Sequence, residues 1–265
     1  MIRMRTVATL GACSFGALFS LALAAANNPP APGFDAVGSD PKAIEIADRV
    51  MEAMGGRKAW DDTRYIAWKF FAPPPTGRTH VWDRWTGNLR FQQGGQLTLM
   101  NINTKEGSVW KDGQRVEDPA EKAKLLQQGY EAWVNDSYWL LMPYKLKDSG
   151  VTLKHTGEGA TDDGRAADML QLTFEGVGVT PENKYDVWVD KESGLVTQWA
   201  YYPQAFDETP RFKTPWASWT RHGKVLLSGD RGRMQLTEIA VYDKVPEAAF
   251  ASPDPVHLGR VAPTP

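Results

Sequence analysis

Residues 184–202 read KYDVWVDKESGLVTQWAYY. Two runs of β-branched and aromatic residues flank Lys191-Glu192-Ser193-Gly194, a polar cluster ending in glycine, which is the pattern of an antiparallel hairpin with a longer turn. Tyr185, Val187 and Val189 alternate with Asp186, Trp188 and Asp190, so one strand face is apolar and the other mixed. With a four-residue turn, Val187, Val189 and Val196 fall on one face, and Trp188 and Trp199 on the other.

Working outward, the same punctuation recurs. Short apolar runs at 65–71, 79–85, 89–92, 97–103 and 107–111 are separated by Pro73-Pro74-Pro75, Thr86-Gly87-Asn88, Gly94-Gly95 and other turn residues. Strands this short and this close predict an antiparallel meander rather than βαβ units. Further strands are expected at 152–156, 167–175, 216–221, 224–228 and 234–242. One helix precedes them and one interrupts them. Asp40, with Pro41 behind it, begins a helix ended by Gly55-Gly56, with Ile44, Ala47, Val50, Met51 and Met54 on one stripe. Asp118-Pro119 begins another, running to about residue 134 with Leu126, Tyr130 and Trp133 on one stripe. The apolar run Tyr138-Trp139-Leu140-Leu141-Met142-Pro143 reads as a helical continuation ending before Pro143.

The ends of the chain carry a different signal. Arg3 and Arg5 precede an apolar run from Val7 to Leu23, and Ala22 to Ala26 offer small residues where a signal peptidase reads, so residues 1–26 are expected as a cleaved secretory signal. The run is too short and poorly flanked for a membrane span. Leu10-Gly11-Ala12-Cys13 has the look of a lipoprotein signal, but hydrophobicity continues past Cys13, which weighs against anchoring there. With cleavage before Asn27 the mature chain has no cysteine, which excludes disulfides and thiolate chemistry. Residues 27–40 are expected as a Pro/Ala/Gly tether, 41–253 as one β domain and 254–265 as a mobile Pro-rich tail.

Composition narrows the function classes. Across 265 residues, 42% are hydrophobic and 23% charged, as in globular proteins, and the net charge of -2 gives no electrostatic footing for nucleic acid. The chain has 11 tryptophans. They either fill a broad core, or line an apolar cavity or a sugar-stacking surface. No nucleotide-binding glycine motif or nucleophile elbow is present, and His80, His155, His222 and His257 lie far apart, so neither catalytic residues nor a cofactor nor a metal is expected. Arg84, beside Trp82 on a strand, is the candidate for a ligand head group; the competing account is a surface cation–aromatic pair.

Three stretches carry a family resemblance. They are residues 47–68, a helix closed by Gly55-Gly56 before a strand; Val187-Trp188-Val189-Asp190-Lys191-Glu192-Ser193-Gly194-Leu195; and Ile239-Ala240-Val241-Tyr242 through Val245-Pro246, Phe250 and Pro253. Together they resemble the lipoprotein-localisation (LolA/LolB-like) superfamily, in an outer-membrane-lipoprotein-sorting-like branch. The resemblance implies an α+β, mainly antiparallel fold: a curved, half-open β-barrel of about ten strands, lidded by helices, with an apolar concave face. It implies a periplasmic binding or carrier protein for an acyl-chain, lipid or lipoprotein ligand rather than an enzyme. Trp68, Trp82, Trp110, Trp139, Met142, Trp188 and Trp199 are the cavity candidates. An envelope sensor or scaffold binding another protein, and a carbohydrate binder using exposed tryptophans, are the alternatives.

Overall fold

A computed structural model describes residues 27–70, 77–256 and 258. The expected signal, Cys13 and the Pro73-Pro74-Pro75 break lie outside the described residues. Two antiparallel sheets dominate, neither closed into a barrel. The strands of the first are β1 (Tyr65–Phe70), β2 (Arg78–Asp83), β3 (Asn88–Gln93), β4 (Gln96–Asn101), β5 (Gly107–Lys111), the short β6 (Gln114–Arg115) and the closing β16 (Thr237–Tyr242). They lie in the order β16-β1-β2-β3-β4-β5-β6. The meander read from the glycine turns is therefore real, and the last strand returns to pair with the first. The second sheet is built from β7 (Val151–Ala160), β8 (Ala166–Phe174), β9 (Lys184–Asp190), β10 (Val196–Tyr202) and β11 (Phe212–Pro215), in the order β11-β10-β9-β8-β7. Two small hairpins, β12 (Thr220–His222) with β13 (Val225–Leu227) and β14 (Asp230–Arg231) with β15 (Met234–Gln235), complete the strands. The strand expected at 216–221 is displaced: β11 ends at Pro215, and Ser218 takes a left-handed backbone with φ of 57°.

The opening hairpin is β9–β10. Its turn holds as read: Val189 pairs with Val196, and Gly194 adopts φ of 71°, which favours glycine. One residue later the register shifts, with a β-bulge between Val196 and Gln198. A bulge inserts one residue and reverses the facing of the strand beyond it. Trp199 therefore pairs with Val187 and shares the buried face, while Trp188 pairs with Gln198 on the other. The expected sorting of Trp188 with Trp199 is corrected by that one inserted residue.

Helix α1 (Pro41–Ala53) fills the space between the sheets with Ala43, Ile46, Ala47, Val50 and Met51. Ile46, not Ile44, carries the buried stripe. Asp40 sits at its N-cap, but its carboxylate accepts from the His155 N–H at 3.0 Å and Lys154 Nζ at 3.1 Å, tying the helix start to β7 instead. Just beyond α1, Gly55 lies so close to the β12–β13 turn that a Cβ there would stand 2.5 Å from the Lys224 carbonyl. Between Gly56 and β1 lies a second short helix, α2 (Arg57–Asp62), which carries Trp60.

Helix α3 (Pro119–Leu141) runs unbroken through Asn135-Asp136-Ser137 and passes into a 3-10 turn, Met142–Lys145. Asp118 caps it, accepting from the Glu121 N–H at 2.7 Å. Its first half covers Leu89, Phe91, Met100 and Val109 of the first sheet.

Both ends of the described stretch are docked. In the stretch 27–40, expected as a tether, the chain runs beside the 3-10 turn and β7: Ala31 N–H donates to the Lys147 carbonyl, Asp35 to Val151 and Asp40 to Leu153. At the other end, helix α4 (Ala248–Ala251) and Val256 cover Tyr65, Ala67 and Val81 on the outer face of the first sheet. Arg90 reaches through that face and donates to the carbonyls of Ala249, Ser252, Pro253 and Asp254 at 2.9–3.3 Å. Pro253 blocks regular pairing there, so side-chain donors hold the segment.

Candidate functional site

A cavity of about 420 Å³ opens between the second half of α3 and the second sheet, a size that suits a small ligand. Each wall follows from a local pattern. On α3, Tyr130, Trp133, Val134, Ser137 and Tyr138 recur at i, i+3, i+4, i+7 and i+8, one helical face. On the sheet, Phe174, Tyr185, Tyr201 and Phe212 lie side by side across β8, β9, β10 and β11; Tyr201 pairs with both Tyr185 and Phe212. The loop from Val177 to Thr180 forms the third wall.

The contacts change along the sheet face. Farther along the same sheet face Leu170, Val187, Val189 and Val196 pack tightly under α1. Near the cavity the contacts are between flat rings: Tyr185 stacks on Trp199 at 5.1 Å and 5°, Trp139 meets Trp199 edge-on at 5.0 Å, and Tyr138 tilts over Tyr185 at 5.3 Å. These edge and face contacts are the arrangements aromatic pairs prefer.

The polar groups of the wall are mostly engaged with each other. Lys145 pairs with Asp148 at the rim, and Tyr201 Oη donates to Asn183 Oδ1 at 3.3 Å. Tyr138 Oη and Trp133 Nε1 are buried with no hydrogen-bond partner among the described residues. Burial pushes the Tyr138 and Tyr185 hydroxyls well above the usual tyrosine range, so both phenols stay neutral.

Two buried charge contacts fix α3 beside the cavity. Asp136, fully buried and facing away from it, accepts from Arg78 Nε at 2.7 Å and Nη2 at 2.6 Å, and meets His80 Nε2 at 2.7 Å. Nε2 is assigned the proton because a carboxylate faces it. His80 stacks on Trp68 at 4.5 Å, and burial holds its pKa below the usual histidine value against the pull of Asp136. At the end of α3, the fully buried Arg231 donates to the Trp139 carbonyl at 2.7 Å.

The candidates read from the sequence are dispersed by this arrangement. Trp139 lines the cavity, and Trp199 stands directly behind its wall. Trp68 and Met142 are fully buried in the main core. Trp82 is half-buried against Trp133 at 5.1 Å, Trp110 lies on β5 near Arg115, and Trp188 is half-buried on the opposite face of the second sheet, with Lys213 at 5.8 Å. Arg84 turns inward: its guanidinium lies 3.4 Å over the Trp60 ring and 5.9 Å from Trp82, and donates to the Trp60 and Thr63 carbonyls. Burial lowers its pKa to about 10. Tyr138, Tyr185 and Phe212, which sequence reading did not select, carry the cavity; the helical period from Tyr130 to Tyr138 and the strand alternation at Tyr185 were the available signals.

Among the described residues, no group of three or more His, Cys, Asp or Glu side chains is placed to hold a metal ion, and no helix is long and apolar enough to cross a membrane. The fold and site together define an unclosed, two-sheet antiparallel protein with a helix-covered aromatic cavity. No family model matches the chain, and no curated protein matches it. Among solved structures it is similar to a DUF1329 family protein from Desulfovibrio piger ATCC 29098, with 12% identity, 78% of this chain and 96% of that chain covered, and a TM-score of 0.40. It is also similar to MucB, solved in complex with MucA(peri), with 14% identity, 78% of this chain and 58% of that one covered, and a TM-score of 0.24. An uncharacterized conserved protein from Thermus thermophilus shares 14% identity over 79% of this chain and 93% of that one, with a TM-score of 0.26. At these values the likenesses say nothing of ligand or partner.

Proposed function

We propose that the protein binds or carries a hydrophobic ligand, an acyl chain or lipid, in the cavity between α3 and the second sheet, and does so in the periplasm after removal of residues 1–26. The observation that carries this reading is the cavity itself: about 420 Å³, walled by aromatic rings from α3 and from four strands of the second sheet. Each methylene buried in such a site contributes about 0.8 kcal/mol, so a chain of modest length binds without any charged contact. The neutral phenols and the self-paired Lys145–Asp148 rim suit an uncharged tail better than a phosphate or sugar. The site resides in one domain, which we place at residues 41–253.

The test is purification from the envelope fraction, reading the mature mass and the co-purified lipids by mass spectrometry, followed by titration with a dansyl-labelled fatty acid. A mature chain beginning at Asn27, carrying lipid and binding the probe, is expected. Trp139→Ala should weaken the probe about tenfold, the loss of one large apolar contact, whereas Trp188→Ala on the opposite sheet face should leave it unchanged. A lipid-free protein indifferent to the probe, or equal effects of the two substitutions, sinks this reading.

A further inference from the structure

One carbonyl in the cavity wall lacks its helical partner by covalent necessity. In an α-helix the carbonyl of residue 139 is met by the N–H of residue 143, and residue 143 is proline, which has none. The helix nonetheless continues to Leu141, with Met142 N–H donating to the Tyr138 carbonyl. Arg231 supplies the missing donor, its Nη2 standing 2.7 Å from the Trp139 carbonyl. The remaining bonds hold the guanidinium rigidly. Nη1 donates to Ser228 Oγ at 2.9 Å and the Asp230 carbonyl at 2.8 Å, Nη2 also donates to the Ser228 carbonyl at 3.0 Å, and the group lies 3.3 Å over the Trp216 ring. Trp216 meets Trp199 edge-on at 5.2 Å, and Trp199 meets Trp139 at 5.0 Å. Arg231 therefore reaches the same tryptophan twice, through its carbonyl and through two rings. A buried guanidinium is costly to desolvate; its four hydrogen bonds and the Trp216 ring offset that cost, and the bond to the Trp139 carbonyl is the one that reaches α3.

We propose that Arg231 is the positioning residue of the cavity: standing in for the N–H that Pro143 lacks, it fixes the last turn of α3 and sets the rings of Tyr138 and Trp139 against the second sheet. The proposal rests on the cavity being the ligand site, and its test is built to separate the two. Arg231→Met keeps an apolar stem and removes the donors. Adding Pro143→Ala returns a backbone N–H opposite the Trp139 carbonyl. The readouts are the dissociation constant of the dansyl-labelled fatty acid and the near-ultraviolet circular dichroism of the aromatic cluster, which needs no ligand. Arg231→Met is expected to weaken the probe about tenfold, the effect of one charge-assisted hydrogen bond, and to flatten the near-ultraviolet signal. The double variant should recover both, because the restored N–H answers the carbonyl and nothing else that arginine did. Wild-type affinity and signal in Arg231→Met overturn the proposal, as does a loss that Pro143→Ala fails to repair. If Arg231→Met does not fold, a folded double variant supports the proposal and an unfolded one overturns it. If the wild-type protein binds no probe, the proposed function falls, and the near-ultraviolet signal alone decides the role of Arg231.

Discussion

The two halves of helix α3 rest on the two sheets in opposite ways. The first half lies on β3, β4 and β5 through Leu89, Phe91, Met100 and Val109, side chains that close around Leu126. The second half faces β8 to β11 through Tyr138 and Trp139 and leaves a cavity of about 420 Å³. The helix does not loosen where the cavity begins. Asp136 is clamped there by Arg78 and His80, and Trp139 by Arg231. The cavity is thus bordered by flat rings, inside a frame made rigid by buried charge. A site built this way keeps its shape without a ligand, which reduces the ordering cost of binding.

The strongest way to break that contrast is to remove the clamp. Asp136→Ala leaves Arg78 and His80 without their shared carboxylate, and breaking a buried pair from one side costs about 3–5 kcal/mol. We expect a fall of that size in urea unfolding free energy. A loss below about 1 kcal/mol would show that α3 is held by apolar packing along both halves and that the frame is not electrostatic.

A smaller effect comes from pH. His80 is fully buried, faces Asp136 and Arg78 and packs on Trp68 and Phe91; desolvation outweighs Asp136 and lowers its pKa. The unfolded chain takes up a proton near pH 6.5, which the folded protein refuses until lower pH. Stability is therefore full above that value and falls as pH drops from about 6.5 towards the folded pKa. His222 is also lowered by burial and adds a loss of the same sign. Asp48 is raised by burial, so its contribution fades as pH rises and cannot imitate this loss. Urea midpoints at pH 7.5 and 5.5 in His222→Gln should retain a drop that is absent when His80→Gln is added. A drop surviving both substitutions assigns the acid sensitivity to other groups.

How far the sequence discloses this arrangement depends on the range of the interaction. The turn at Lys191–Gly194 and the pairing of Val189 with Val196 are local and were readable. Just beyond that pair, the bulge at Thr197 reversed the facing of Trp199, and nothing in Val-Thr-Gln-Trp announces it. The meander was legible because glycine turns mark its corners. The period Tyr130, Trp133, Val134, Ser137, Tyr138 was present as an amphipathic face, yet periodicity cannot tell a face that meets a core from one that borders a cavity. Asp136 and His80 are 56 positions apart, Arg231 and Trp139 92, and Arg90 clamps carbonyls 159 or more residues away. Spacing carries no trace of such partners. Arg84 has Trp82 as its neighbour on one strand, while its partners, Trp60 and Thr63, come from α2 and its cap.

The finest distinction is between two buried tyrosines. Tyr144, in the 3-10 turn, places its hydroxyl 2.7 Å from the Leu226 carbonyl and 3.2 Å from that of Met54, joining the β12–β13 hairpin to the end of α1. Tyr138, in the last turns of α3, has a hydroxyl with no partner among the described residues. The same substitution should therefore have different outcomes. Tyr144→Phe removes the donor to the Leu226 carbonyl, while the Met54 carbonyl keeps the Leu226 N–H at 3.0 Å, and should cost about 1–2 kcal/mol. Tyr138→Phe removes a polar atom with no partner among the described residues and should fall within about 0.5 kcal/mol of wild type, on the stabilising side if anywhere. Urea unfolding of the two variants decides it. A cost for Tyr138→Phe matching that of Tyr144→Phe would mean that the cavity-side hydroxyl is hydrogen-bonded in solution, and the wall around Trp133 and Tyr138 would then be a wet, polar surface instead of an apolar one.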